Sequence, residues 1–337
     1  MLDDYKKHVD ERAELNIPPL PLDADQTSEL ISLLKEKNND PDYLLNLLKE
    51  RVPAGVDQAA YVKAAFLADI TTGNASSPYI SKIDAVEILG TMLGGYNVEP
   101  LIRCLEIEEL AETASHVLGR TLLIFDAFNE IFELSKKNKY AKKVIEEWAD
   151  AKWFTEKEDI KDQIKLTVFK VSGEINTDDL SPAPDAWSRP DIPLHALAMF
   201  KMPRTGLDDP LGTIEKLKEK GNPLVFVGDV VGTGSSRKSA TNSVLWHMGD
   251  EIPHIPNKKE GGYCFGGKIA PIFFNTLEDS GAFPVECDVS KLNMGQEIIF
   301  EPFNGKILDA ESGEILSTFE LKTPVILDEV RANGRIP

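Results

Sequence analysis

Cysteine is scarce: Cys104, Cys264 and Cys287 are three among 337 residues, and no two stand at Cys-x-x-Cys spacing. That excludes a disulfide framework and leaves no thiolate set for a metal cluster, so each reads as a small buried apolar side chain. The five histidines form no His-x-x-x-His or His-x-Glu pair that would present two ligands on one helix face, so no metal site is expected. No run approaches about 18 consecutive apolar residues, which excludes a membrane-spanning helix. The opening Met1-Leu2-Asp3-Asp4-Tyr5-Lys6-Lys7 carries acids where a secretory leader needs a basic start and an apolar core, so a cytoplasmic location is expected. Positive charge is also short. Lys and Arg number 37 against 56 Asp and Glu, a net charge of −19, which argues against broad nucleic-acid binding. An acidic chain that takes an acidic metabolite must gather its few cations locally, so an arginine beside a glycine-rich loop carries weight.

What is present is an ordinary globular composition, 42% hydrophobic and 28% charged, long enough for two domains. The first, assigned to residues 1–160, reads as consecutive amphipathic helices. Leu30 to Leu34 and Tyr43 to Leu48 carry apolar residues at helical spacing, and Asp40-Pro41 marks a helix start, with Asp as cap and Pro in the first turn. Further helices are expected over Asp57–Ile70, Ser81–Leu93, Val98–Leu105, Leu118–Leu134 and Asn138–Ala151, with turns at Val52–Val56 and Gly94–Asn97. Short helices on short turns predict antiparallel pairs stacked as a degenerate HEAT-like solenoid, although no strict repeat period is present. The charged stretch Thr155–Asp162 marks the boundary. The second domain, residues 161–337, mixes strands (Ile164–Val171, Leu224–Val227, Ile298–Glu301, Lys306–Leu308) with helices after Ser235 and around Phe274–Ser280. The fold class is therefore α + α/β: a helical array followed by a compact α/β domain.

The most informative segment runs from Leu224 to Trp246. A buried strand passes through the glycine turn Gly228-Asp-Val-Val-Gly232-Thr-Gly234 and enters a helix ending near Gly249. Glycines allow positive φ and close backbone approach, and the serines that follow sit where free N–H groups and the positive helix end converge, a natural anion site. A serine hydroxyl there loses its proton more easily, because the alkoxide gains N–H donors and a neighbouring guanidinium. The loop is not a Walker A motif, and Arg237 stands where a dinucleotide fingerprint needs its third glycine. Ser235-Ser-Arg-Lys238 matches Ser-x-x-Lys of penicillin-binding enzymes, but neither Ser-Asp-Asn nor Lys-Thr-Gly is present to complete such a site. Spacing alone leaves a structural helix cap and a catalytic loop as equal readings.

Gly232-Thr-Gly-Ser235-Ser236-Arg237 resembles the Gly-x-Gly-Ser-Ser-Arg signature of the aconitase swivel domain. The resemblance implies that Ser235 is the catalytic base, with Ser236 and Arg237 binding a substrate carboxylate. Thr177-Asp-Asp-Leu-Ser181 is similar to the family's Thr-Asp-x-(Ile/Leu)-Ser, and Arg189, in the proline-rich loop that follows, falls where the family places another carboxylate-binding arginine. Thr177, Asp178 and Ser181 are candidates to line the site; capping and turn hydrogen bonds account for them almost as well. The family commonly has His where Asp179 stands. Arg51–Asp57, Asp185–Asp191 and Gly266–Thr276 resemble the bacterial aconitases of the B type, as does the order of helical domain before swivel.

That resemblance implies a hydro-lyase interconverting citrate and isocitrate through cis-aconitate, with 2-methylisocitrate as a related substrate. It also implies a [4Fe–4S] cluster in the full-length enzyme and no cofactor in this stretch. The remaining aconitase domains are then partners, and this chain alone, read as an N-terminal part ending at Pro337, is expected to be inactive. Two other readings stay open. One is a helical interaction module that mediates self-association or docking. The other is a swivel subunit acting in trans with a separate cluster-bearing chain, as the small subunit of isopropylmalate isomerase does. RNA binding, known in some aconitases, finds no support in the acidic balance, and the basic runs Lys136–Lys139 and Lys258-Lys259 read as solvated faces.

Overall fold

A computed structural model describes residues 2–122 and 125–335. The chain divides into two compact units, Met1–Lys157 with Pro253–Pro256, and Glu158–Ile252 with Asn257–Pro337. Among the described residues, the first unit is built from helices α1 (Leu2–Ala13), α2 (Ala24–Leu34), α3 (Pro41–Glu50), α4 (Gln58–Thr72), α5 (Lys82–Gly90), α6 (Val98–Cys104), α7 (Ala111–Leu118), α8 (Phe125–Ser135), α9 (Lys139–Ala149) and α10 (Lys152–Thr155).

Their starts follow capping chemistry. Asp23 and Ser81 close reciprocal capping boxes with Gln26 and Asp84, while Asp57 and Asn138 accept first-turn N–H groups. Asp40 occupies the cap position ahead of Pro41 but its side chain makes no capping bond. The helix expected over Leu118–Leu134 is two helices: α7 stops at Leu118, the chain turns through Gly119, and α8 starts at Phe125. Leu123 and Ile124, which that expectation also covered, lie outside the described residues. Leu30, Leu34, Leu44, Leu48 and Leu67 are sealed in the helical core.

The second unit is organised around a mixed seven-stranded sheet of order β6-β5-β2-β1-β7-β8-β9. Its strands are β1 (Ile164–Asn176), β2 (Leu224–Thr233), β5 (Tyr263–Ile269), β6 (Phe283–Glu286), β7 (Glu297–Glu301), β8 (Lys306–Asp309) and β9 (Ile315–Thr318); β3 (Asp250–Glu251) and β4 (Lys259–Glu260) form a separate ribbon. β1, β2, β5 and β6 are mutually parallel, and β7 to β9 add an antiparallel meander beside β1. The helices of this unit are α11 (Thr177–Leu180), α12 (Ile192–Ala196), α13 (Pro210–Lys218), α14 (Arg237–Met248), α15 (Pro271–Asp279) and α16 (Val325–Ala332), with a 3₁₀ turn at Ala183–Ser188. The first residues of β2, Leu224 to Gly228, are buried without alternation, as a central parallel strand covered on both faces requires. Phe169, Phe226, Phe265, Phe273, Phe283 and Phe300 fill the core.

One feature of this topology places the site. β1 and β2 are parallel neighbours whose register ends at Asn176 opposite Thr233. The segments that follow them, Thr177–Ser181 and Gly234–Arg237, therefore leave the sheet side by side at the carboxyl ends of the strands, where open α/β sheets bind ligands.

Candidate functional site

β2 runs six residues past the Val227 expected as its end and into the glycine turn, so Gly232 is its penultimate residue. Gly232 has φ +80°, and a Cβ there would lie 2.2 Å from Cγ of Phe273. Gly234 has φ +107°, and a Cβ would lie 2.5 Å from Oγ1 of Thr177. Both conformations favour glycine, and at Gly234 the missing side chain is what lets the loop meet the Thr177 segment. Ser236 then takes the N-cap position of α14, yet its side chain makes no capping bond. Its N–H donates to Thr177 Oγ1 at 3.2 Å, and its hydroxyl receives Nη2 of Arg189 at 2.9 Å.

The structure thus brings Thr177, Arg189 and Ser236 into direct contact across 47 to 59 positions of sequence. Ser181 joins through its carbonyl, which receives Arg189 Nη2 at 3.4 Å. Arg189 Nε is buried with no acceptor. An N–H out of reach of water and unsatisfied costs roughly 1–3 kcal/mol, and such an orphan calls for a reason. Ser235 is exposed one residue ahead of the cap, and neither its side chain nor that of the half-buried Arg237 hydrogen-bonds or ion-pairs with a described residue. Asp178 is exposed, with its N–H held by the Asn176 side chain. Asp179 instead accepts the Asn176 N–H at 2.9 Å and an Arg204 N–H at 3.2 Å, while Arg204 also donates to the carbonyls of Ser172 and Glu174. It fastens the end of β1.

Three residues of this region carry no sequence signature: Ser188, His195 and Ser239. His195 sits between two serines, with Nδ1 2.8 Å from Ser188 Oγ and Nε2 2.7 Å from Ser181 Oγ, and Ser181 Oγ lies 2.9 Å from Ser239 Oγ. Burial, aided by the Arg189 charge, holds His195 below the usual imidazole range. Looking for histidines at metal-ligand spacing cannot find it, because its partners are hydroxyls 7 and 14 residues upstream.

The cysteines do not suit a cluster. All three are buried, and burial drives the Cys264 thiol up to about 12, Cys287 to about 11, and Cys104 above its ordinary value, against the thiolate form that ligates iron. No group of three His, Cys, Asp or Glu arranged to hold a metal occurs among the described residues. No helix among them is long and apolar enough to cross a membrane.

Fold and site together define a mixed-sheet α/β domain with a Gly-Ser loop and a guanidinium at the strand ends, preceded by a helical unit. The model for the aconitate B N-terminal domain matches residues 4–154, and that for the aconitate hydratase 2 N-terminus matches residues 166–337. The chain belongs to the aconitate hydratase B family. It is 58% identical to aconitate hydratase B of Escherichia coli and to that of Pseudomonas aeruginosa, and 50% identical to that of Helicobacter pylori, in each case over its whole length. It spans about 40% of the length of these relatives. A 3-isopropylmalate dehydratase from Methanocaldococcus jannaschii overlaps 52% of this chain and 91% of its own at a TM-score of 0.39 and 18% identity, a likeness too loose to bear on the fold.

Proposed function

We propose that this chain supplies the proton-transfer and carboxylate-binding half of an aconitate hydratase site, acting on citrate and isocitrate through cis-aconitate. The observation that carries the reading is the Arg189–Ser236 contact. It joins the two motifs on which the family resemblance rests, and leaves an under-satisfied guanidinium beside the Gly-Ser loop. A carboxylate suits that guanidinium, whose N–H fork matches two carboxylate oxygens. Arg237, whose side chain has no partner among the described residues, is a second candidate for the same substrate, and Thr177 and Ser181 support the wall.

In this reading Ser235 removes the proton from the carbon next to a carboxylate, and hydroxide leaves the neighbouring carbon as the double bond forms. The serine is suited to the step because it is exposed and next to the cap of a twelve-residue helix, whose N–H groups stabilise developing negative charge. The [4Fe–4S] cluster implied by the resemblance would act as Lewis acid on the substrate hydroxyl; the cysteines of this chain do not fit it, and we assign it to the rest of the full-length protein. Arg189→Lys keeps the charge but loses the fork. In the full-length protein it should raise KM for citrate at least tenfold; an unchanged KM counts against the assignment.

We read the helical unit as the HEAT-like array, supported by contacts that advance along the sequence from α2 to α4, α5, α7 and α9. Exposed Phe125, Phe128 and Phe132 on α8 favour a second role for it in docking. Light scattering that finds the chain strictly monomeric at high concentration would argue against self-association there.

A further inference from the structure

His195 is only 2% exposed and lies on α12, outside every motif discussed so far. Its two ring nitrogens face hydroxyls that belong to different parts of the cradle. Ser188 ends the 3₁₀ turn and immediately precedes Arg189; Ser181 ends the Thr177 segment and faces Ser239 in the first turn of α14. We propose that His195 is a positioning residue of the carboxylate cradle. Through Nδ1 it holds the loop that aims Arg189, and through Nε2 it holds Ser181 and, by way of Ser239, the helix start that carries Ser236 and Arg237. The role rests on the carboxylate reading above.

The hydrogen count fixes how it does so. Ser188 Oγ has one proton, and the carbonyl of Asp185 at 2.7 Å can only accept, so that proton goes to the carbonyl. Ser188 Oγ must then receive Nδ1–H. A neutral imidazole carries no second proton, so Nε2 accepts from Ser181, and the 2.9 Å contact between Ser181 and Ser239 is then closed by the Ser239 hydroxyl, turned away from the Ser236 carbonyl. Protonation would reverse the second half: Nε2–H would donate to Ser181, whose proton turns to Ser239, whose proton turns to the Ser236 carbonyl 3.2 Å away. The charged groups facing the ring are Arg189, which opposes protonation, and Asp185, which favours it but is itself paired with Lys201 at 2.8 Å. Burial and Arg189 prevail, and the neutral Nδ1–H tautomer keeps the cradle in one arrangement. A guanidinium displaced by about 1 Å can forfeit about a hundredfold in rate or affinity, which is why a buried residue remote from the chemistry matters.

Two measurements test this. Nitrogen NMR of the 337-residue chain at pH 7 should find His195 as a single Nδ1–H tautomer; an Nε2–H tautomer, or rapid averaging of the two, overturns the proposal. In the full-length protein, His195→Phe should raise KM for citrate about tenfold while kcat changes less than threefold, and His195→Asn, whose amide N–H can still reach Ser188, should recover most of the loss. Ser188→Ala removes one hydroxyl from the same arrangement and should raise KM several-fold even if His195→Phe fails to fold. An Arg189→Ala protein with impaired KM beside His195 and Ser188 variants with normal KM overturns the positioning role alone. Should Arg189→Ala also keep a normal KM, the carboxylate reading falls and this role with it.

Discussion

At the scale of single residues, the α/β unit holds two histidines uncharged for different ends. His195 is held between serines beside Arg189, whereas His247 is buried on α14 with Nε2 3.0 Å from the Ala196 carbonyl, to which it donates. Burial pushes His247 down to about 4 from an ordinary 6.5. The sign of the linkage follows. Above about pH 6.5 the imidazole is neutral whether the chain is folded or not; between about 6.5 and 4 the unfolded chain takes up a proton that the native state refuses. Stability is therefore complete above 6.5 and falls with acid, by about 3 kcal/mol in all once the pH is below 4. His247→Gln keeps a donor for the carbonyl without a titrating ring. Its denaturant midpoint should gain on the wild type progressively as pH drops from 6.5 to 4, and a constant offset across that range would contradict the assignment.

At the scale of elements, the decisive arrangement is the parallel pairing of β1 with β2. It delivers two segments to one edge of the sheet, and glycine lets them touch. Gly232→Ala should show the cost: a strained φ and a Cβ driven into Phe273 add up to about 3 kcal/mol of lost stability. Thermal melting checks it, and a loss below about 0.5 kcal/mol would mean the turn relaxes freely. The same elements mark how far the sequence could be read. Helices such as Pro41–Glu50 and Gln58–Thr72 were legible because apolar residues recur at helical spacing behind an Asp at the start. So were the buried start of β2 and the start of α14. The break between Leu118 and Phe125 was not, since apolar residues on both sides keep a helical period through a turn that only tertiary packing selects. β5 is absent from the strands expected from sequence because its Phe265-Gly266-Gly267 lacks strand propensity, and a parallel place beside β2 decides it instead. Arg189 and the Gly-Ser loop were legible only through motifs. His195 and Ser188 were not, because a hydrogen-bond network closes in three dimensions and leaves no period behind.

At the scale of the whole molecule, a chain of net charge −19 concentrates Arg189 and Arg237 at one strand edge. For the polycarboxylate proposed above, the charge of this chain offers no long-range attraction, and recognition in this proposal comes from short-range guanidinium and N–H contacts at the loop. In the proposed reading Ser235 is the group that moves the proton. The most direct test is steady-state citrate turnover by the full-length protein, loaded with its cluster, comparing wild type with Ser235→Ala. The account predicts a kcat lower by about a thousandfold with KM within a few-fold of wild type. Turnover retained at the wild-type rate would contradict it.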